Sequence, residues 1–420
     1  MFLYVREPYC WDISLFNIAW YYFTMESFLP FFLILFVGVL FSAVFSRLHL
    51  PWVVALIVAG IFIGPFGFEL VLITPTIDFL GQLGLIFLMF MAGLETKLSS
   101  FTEIGKQAVW VALVSGGIPM LAGIVLGLAF GLEVLPALLL GIIFVSSSIA
   151  VIVPSLTSSG LFYKKVGRII VAATIIADVV SLVMLSVLLQ TVQPITSLPL
   201  VLFYPLVVLV LVAMRYLLPR VEHLLAIGFR SSQELFQQEL RAVFTVLVGT
   251  VIAFELLGLH PIIAGFFAGL VLSGSITSST LIDRLRAVSY GVFIPTFFIV
   301  VGIKTDITIF FEAGSIAVFA VVLILGSILS KFVSGYLAGR VLKFSSRESS
   351  LIGVAIIPQL STTLAVVFAA VELKLIGPEV SAAMVMLSVV TTFVGPVLFR
   401  LLVPHLKKDE DIEEVAVAAT

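Results

Sequence analysis

The chain has 420 residues, of which 61% are hydrophobic and only 11% are charged. Because soluble domains carry about 25% charged residues, this composition excludes a soluble globule and indicates a polytopic helical membrane protein. The net charge of −2 argues against nucleic-acid binding. The single cysteine and four scattered histidines form no disulfide framework or metal-binding pattern, so we expect no bound cofactor.

Apolar stretches long enough to cross a membrane, about 20 residues each, predict thirteen helical spans. They cover residues 28–46, 51–68, 78–98, 107–131, 134–158, 162–191, 197–218, 238–258, 260–275, 281–303, 313–341, 347–371 and 377–404. Eighteen of the 22 Lys and Arg residues fall in the odd-numbered connections or at the C-terminal end. The positive-inside rule therefore predicts an N-terminus outside and a C-terminus in the cytoplasm. We expect the chain to lie in the inner or plasma membrane of the cell.

Two parts of the chain resemble each other at an offset of 209 residues. Gly93-Leu94-Glu95, at the end of the third span, matches Gly302-Ile303-Lys304 at the end of the tenth. Pro51 through Gly60 matches Pro261 through Gly269 at nearly the same offset. The two copies lie seven spans apart, and an odd number inverts the second copy relative to the first. The predicted fold is therefore all-α, with two inverted-topology repeats.

Applied to the fifth span, the same offset matches residues 146–156 with 355–365, and both are apolar stretches interrupted by Ser/Thr runs and a proline. Paired discontinuous helices at the membrane midplane are typical of secondary transporters, because exposed backbone groups are tolerated there only in a protein-lined or watery cavity. The residues expected at the interruptions are Ser146, Pro154, Pro358, Gln359, Ser361, Thr362 and Thr363.

The repeats divide the chain into five segments. Residues 1–27 form an aromatic extracytoplasmic segment, 28–218 the first repeat with a linking helix, 219–237 a cytoplasmic linker, 238–404 the second inverted repeat and 405–420 an acidic cytoplasmic tail. We expect disorder in the tail from Lys407 onward. Two readings of residues 1–24 stay open: an interfacial aromatic segment, or an extension preceding a natural start at Met25.

Two charged residues lie midway along predicted spans, Asp178 in the sixth and Lys331 in the eleventh. A charge at the bilayer centre costs at least ~2.5–3.5 kcal/mol and by default indicates function. At the repeat offset, Asp178 corresponds to Leu387 and Lys331 to Ala122. Burial favours a neutral carboxyl group and a nearby cation favours the carboxylate, so a buried aspartate can hold either a proton or a metal cation. A structural ion pair between the two is the alternative, and Glu255 is interpreted as a structural or water-facing carboxylate.

Motifs of a known family occur in order along five stretches, Pro51–Pro65, Phe90–Thr96, Val166–Asp178, His260–Gly269 and Phe297–Gly302. They resemble the monovalent cation–proton antiporter superfamily in its sodium/proton and potassium/proton exchanger branch, from about residue 28 to 404. The resemblance implies a transporter rather than an enzyme, exchanging Na⁺ or K⁺ for H⁺. It also implies a homodimer, in which a core domain with crossed broken helices moves like an elevator against a dimerisation domain.

The resemblance also implies roles for individual residues. Asp178 matches the aspartate that binds both the proton and the transported cation, which is the only metal ion expected. Ser147 and Ser148 match the Thr-Ser at the break of the fifth helix. Lys331 matches the lysine of the helix that crosses behind the site, as a charge partner.

Two departures from the family pattern bear on stoichiometry. Ala177 stands where many electrogenic members carry a second acid, so a single carboxylate favours electroneutral, one-for-one exchange. Pro358-Gln359-Leu360-Ser361 replaces Pro-Arg-Gly-Glu, although the hydroxyl groups from Ser361 to Thr363 could supply oxygens instead. For Lys331 two possibilities stay open: it pairs with Asp178, or it loses its own proton and carries charge. The choice between Na⁺ and K⁺ is also open.

Three other functions remain as alternatives. A sodium-coupled symporter of organic solutes on a related scaffold would use more polar side chains at the crossing and fewer spans. An intramembrane aspartyl protease needs two facing aspartates, and only Asp178 lies deep in a span. A channel or sensor that kept the fold without exchange is conceivable because of Ala177.

Overall fold

The computed structural model describes residues 13–47, 51–95, 105–192, 232–256, 260–273, 279–312 and 314–418, with isolated positions 205, 209 and 216. Regular structure in this part of the chain is entirely helical. The helices are α1 (Ile13–Arg47), α2 (Trp52–Ile63), α3 (Pro75–Glu95), α4 (Gly105–Ala129), α5 (Val134–Val145), α6 (Ile149–Ser159), α7 (Lys165–Val192), α8 (Ser232–Leu256), α9 (Pro261–Leu272), α10 (Ser279–Val288), a π turn (Ser289–Phe293), α11 (Ile294–Lys304), α12 (Ile309–Glu312), α13 (Gly314–Val341), α14 (Ser346–Ala355), α15 (Ser361–Glu372) and α16 (Pro378–Ala418).

Within the described ranges, eight helical stretches are long and apolar enough to cross a membrane, and α2, α9 and α15 are shorter apolar helices. Every predicted span has a helical counterpart except 197–218, which lies almost entirely outside the described residues. The expected disorder from Lys407 is wrong, because α16 continues to Ala418. The acidic tail contains Glu and Ala, which are good helix formers and extend the last span without a break.

Four glycines show the repeat in three dimensions. Gly60 on α2 packs directly against Gly302 on α11, and Gly269 on α9 packs against α3 beside Gly93. A Cβ atom at any of the four would overlap the backbone of the partner helix. Gly60 corresponds to Gly269 in the other repeat, and Gly93 corresponds to Gly302. The α2–α11 crossing and the α3–α9 crossing are therefore equivalent, with the first and second repeats interchanged. The inverted repeats predicted from the sequence are thereby confirmed.

Helix-ending turns show that the offset between the copies is not constant. Gly131 after α4 and Lys343 after α13 both have positive φ angles and end their helices with the same pair of backbone hydrogen bonds. Gly160 after α6 and Lys374 after α15 form a second matched pair. These pairs lie 212 and 214 residues apart, so insertions shift the register beyond the first helices of each copy.

The helices form two groups, which we call the flanking group (α1–α3 and α8–α11) and the crossing group (α4–α7 and α13–α16). The flanking group is built around one buried cluster that includes Phe90, Phe297 and Phe298. The crossing group holds two further clusters. Helix α15 joins the groups, because Leu364 and Phe368 pack into the cluster of the flanking group. The interrupted helices described below belong to the crossing group.

We predict that Gly302→Ala destabilises the protein by about 1–3 kcal/mol, because its methyl group has no space between α2 and α11. Thermal unfolding of the purified protein in detergent measures the effect. The matched control is Gly117→Ala on α4, where a Cβ would meet no atom within 4 Å. An unchanged unfolding temperature in Gly302→Ala would contradict the close crossing.

Candidate cation-binding site

Two helices of the crossing group are interrupted. Helix α5 ends at Val145 and α6 begins at Ile149, with Ser146 and Ser148 in extended conformations between them. Helix α14 ends at Ala355 and α15 begins at Ser361. Serine side chains compete for backbone groups and proline lacks an N–H, so both sequences disfavour a continuous helix. Of the expected interruption residues, Ser146, Pro358 and Gln359 lie in the breaks, and Ser361, Thr362 and Thr363 form the first turn of α15.

Pro154 does not lie at an interruption, contrary to expectation. It lies inside α6 and faces a cavity of about 420 Å³, together with Ala150. The missing N–H of Pro154 leaves the Ala150 carbonyl without its usual helical partner. The cavity lets the helix tolerate this loss, so the preceding serine run, not the proline, interrupts the helix.

The two breaks hold each other through reciprocal hydrogen bonds. The Ser147 hydroxyl donates to the carbonyl of Ile356 at 2.8 Å, and the Gln359 side-chain amide donates to the carbonyl of Phe144 at 3.3 Å. At the local offset of 212 residues, Ser147 corresponds to Gln359 and Phe144 to Ile356. These carbonyls lie at the C-terminal ends of α5 and α14, where helices have no internal partners. Each copy therefore caps the broken helix of the other.

Asp178 lies on α7 with only 6% of its surface exposed. Its Oδ1 atom accepts a hydrogen bond from the Ser147 N–H at 3.2 Å, and the Thr362 side chain lies close enough to interact with the carboxylate. In the second copy, the Gln359 N–H donates to the Thr391 hydroxyl at 3.2 Å. The structural counterpart of Asp178 is therefore Thr391 and not Leu387.

Lys331 is fully buried on α13. Its ammonium group donates to the Ser146 carbonyl and to the Ser147 hydroxyl, the latter at 2.7 Å. Among the described residues it forms no ion pair with Asp178 within 4.0 Å, although its charge acts on the carboxylate. Lys331 and Asp178 thus meet the same break through different atoms of Ser147. At the offset of 212, the counterpart of Lys331 is Pro119 and not Ala122.

Thr174 was not predicted from the sequence. It lies one helical turn before Asp178, and its buried hydroxyl has no hydrogen-bond partner in the described part of the chain. The Ser148 hydroxyl is in the same situation. Burying an unpaired hydroxyl is costly, so both oxygens have capacity for a further partner. The i, i+4 spacing of Thr174 and Asp178 is the sequence signal that could have identified it.

The remaining charged residues that the sequence singled out lie away from the crossing. Glu95 accepts hydrogen bonds from Arg286, with Nη2 at 3.2 Å, and Lys304 pairs with Asp78. Glu255 is exposed near the end of α8. No group of three His, Cys, Asp or Glu side chains within the described ranges could hold a resident metal ion. Asp178 is the carboxylate that the structure places at the crossing of the two breaks.

We predict that Gln359→Met lowers stability by about 1–3 kcal/mol, because the buried Phe144 carbonyl loses its donor. Chemical or thermal unfolding in detergent tests this. The control, Ser388→Ala, removes a buried hydroxyl that has no partner among the described residues and should leave stability unchanged or higher. Equal losses in both variants would show that the reciprocal capping contributes nothing specific.

Comparison with known proteins places this geometry in context. The profile of the family described as "Sodium/hydrogen exchanger, transmembrane" matches residues 32–403. The chain is 30% identical over 381 residues to the probable Na⁺/H⁺ antiporter 3 of Methanocaldococcus jannaschii, covering 90% of this chain and 97% of that protein. It is 25% identical over 367 residues to the Na⁺/H⁺–K⁺ antiporter GerN of Bacillus cereus, covering 84% and 90%.

A solved structure shows the same fold. The sodium proton antiporter MjNhaP1 from Methanocaldococcus jannaschii superposes with a TM-score of 0.65 at 17% identity. The match covers 93% of this chain and 98% of that one. The likeness therefore includes both repeats and the crossing between them.

Proposed function

The chain belongs to the transmembrane sodium/hydrogen exchanger family, and from this membership we propose that it exchanges a monovalent cation, Na⁺ or K⁺, for H⁺ as a secondary active transporter. The observation that carries the proposal is the lone carboxylate of Asp178, buried where the two interrupted helices cross. Membership in a transporter family excludes the aspartyl-protease alternative.

The crossing offers oxygen ligands of the kind that alkali cations require. We assign the transported cation to the Asp178 carboxylate, with the hydroxyl groups of Ser147, Ser148 and Thr174 around it. The Ser147 N–H holds one carboxylate oxygen at 3.2 Å and leaves the other for the cation or the proton. A proton neutralises the charge that attracts the cation, and a bound cation opposes protonation. Competition for one carboxylate is the coupling that exchange needs.

The cavity beside α6 reaches the residues that follow the break, and we propose that it leads towards Asp178. Ile149 and Ala150, which begin α6 next to Ser148, line it together with Glu95 and Tyr290 of the flanking group. In the proposed cycle, an elevator-like movement of the crossing group against the flanking group exposes the site to one side of the membrane and then to the other. The homodimer and the location in the cell membrane belong to the same proposal.

The charges at the crossing support electroneutral exchange as part of this proposal. Asp178 is a single carboxylate: its neighbour on α7 is Ala177, and its counterpart in the second copy is Thr391. Lys331 is held by a carbonyl and a hydroxyl, partners that stay neutral when Asp178 exchanges its proton for a cation. One cation replacing one proton leaves the charge of the loaded site unchanged.

We predict that Asp178→Asn abolishes cation-driven proton flux, because the amide can neither release a proton nor balance a cation. Purified protein in liposomes with an interior pH dye measures this against gradients of Na⁺, K⁺ and Li⁺. Glu133→Gln, which changes an exposed carboxylate before α5, at the end of that helix away from the break, should keep wild-type flux. Unchanged flux in Asp178→Asn, or sodium-driven uptake of an organic anion without proton movement, would reject the proposal.

For the same liposomes, we predict that sodium–proton exchange runs at an unchanged rate when valinomycin and equal K⁺ on both sides clamp the membrane potential at zero. An electroneutral cycle builds up no potential that could slow it. The rate of sodium–proton exchange is measured with and without valinomycin, in both cases without a protonophore. A faster rate after clamping would show net charge movement and would assign charge transfer to a group such as Lys331.

A further inference from the structure

At one end of the bundle, which we call the Lys304 end, polar side chains of the flanking group contact the end of α15. The Lys304 ammonium group lies 4.4 Å from the centre of the Phe368 ring on α15. The Gln82 amide donates to Glu372 Oε1 at 3.1 Å, and His260 Nε2 lies 3.8 Å from the second oxygen of Glu372. The last two turns of α15 are thus fastened to three helices of the flanking group.

At the opposite end, which we call the Glu95 end, the equivalent surfaces are apart. Here the cavity of about 420 Å³ separates Pro154 on α6 from Glu95 and Tyr290 on the flanking group. Glu95 corresponds to Lys304 at the offset of 209, and Pro154 corresponds to Phe368 at the offset of 214 set by the turns after α6 and α15. Lys304 and Phe368 are in contact at one end, whereas their counterparts Glu95 and Pro154 line an open cavity at the other.

The ion pairs within the flanking group confirm this correspondence. Lys304 pairs with Asp78, and Glu95 pairs with Arg286 at 3.2 Å, so the signs are reversed between the ends. Asp78 and Arg286 lie 208 residues apart, one fewer than Glu95 and Lys304. The π turn at Ser289–Phe293 supplies the extra residue, as expected for a one-residue insertion into a helix. Tyr290, inside this turn and facing the cavity, takes the place that Gln82 has at the Lys304 end.

We propose that the two ends carry reciprocal latches that engage in turn. In the conformation described here the Lys304 latch is closed. In the alternate conformation it opens, and α6 closes onto the flanking group, with Glu95 against Pro154 and Tyr290 against Ser158, the counterpart of Glu372. This inference rests on the alternating exposure in the proposed function and names the contacts of the conformation not seen here.

The chemistry of the Glu95 latch fits such a contact. Ser155 donates to the Val151 carbonyl at 2.9 Å and Ser158 donates to the Ser155 carbonyl at 3.1 Å, both within α6. Local bonds of this kind are weak, so the hydroxyl groups can turn towards the Glu95 carboxylate or the Tyr290 hydroxyl. Meanwhile Arg286 keeps Glu95 paired while the latch is open.

Cysteine pairs test the latches in a Cys10→Ser background, with a short bifunctional methanethiosulfonate reagent that reductant removes. We expect Gln82→Cys/Glu372→Cys to link readily and Tyr290→Cys/Ser158→Cys to link as the protein visits its alternate conformation. A link is detected when neither cysteine thiol of the pair reacts with a maleimide. Each link should stop cation flux, and reductant should restore it. The control pair Tyr163→Cys/Glu372→Cys joins exposed residues at opposite ends of the bundle and should stay unlinked.

Failure of the Tyr290→Cys/Ser158→Cys pair to link, in protein that transports and in which the Gln82→Cys/Glu372→Cys pair links, overturns the proposal. If the tyrosine substitution prevents folding, judged by gel filtration, the pair Glu95→Cys/Pro154→Cys tests the same closure. The linking does not depend on the nature of the substrate. Both links forming in protein without cation–proton flux would keep the latches and reject the exchange.

Discussion

The structure depends on how two interrupted helices satisfy their backbone groups far from water. The carbonyls at the ends of α5 and α14 are capped by Gln359 and Ser147 of the opposite copy. Neither break could persist alone in an apolar surrounding, because an unpaired buried carbonyl is costly. Each repeat is therefore incomplete without the other, and their contact is the place where a polar site can exist inside the membrane.

At this crossing the two repeats have similar backbones but different side chains. The break in the first copy presents its N–H group to Asp178, whereas the equivalent N–H in the second copy meets Thr391. Lys331 has a proline, Pro119, as its counterpart on α4. The repeat produces two similar breaks, and the charged side chains of Asp178 and Lys331 contact only the break in the first copy. The crossing therefore holds one buried carboxylate where a fully symmetric protein would have two.

Much of this could be predicted from the sequence. Hydrophobic length gave the spans, the Gly93 and Gly302 motifs gave the inverted repeat, and the cost of burying charge singled out Asp178 and Lys331. The rest depended on three-dimensional contacts. A constant offset cannot detect insertions in the connections or in the π turn. The residues predicted to correspond to Asp178 and Lys331 in the opposite repeat were therefore wrong. Pro154 was misplaced because a proline beside a cavity interrupts nothing. Thr174 lies one helical turn before Asp178 in the sequence, but its unpaired buried oxygen became visible only in three dimensions.

The shortness of α2 and α9 has a consequence for the backbone groups at their ends. Each has 12 residues, and at 1.5 Å per residue each is about 18 Å long, against a hydrocarbon core of about 30 Å. Neither helix is long enough to cross the hydrocarbon layer by itself, so at least one end of each lies at the depth of the lipid tails. The backbone groups at such an end need partners from the protein or from water.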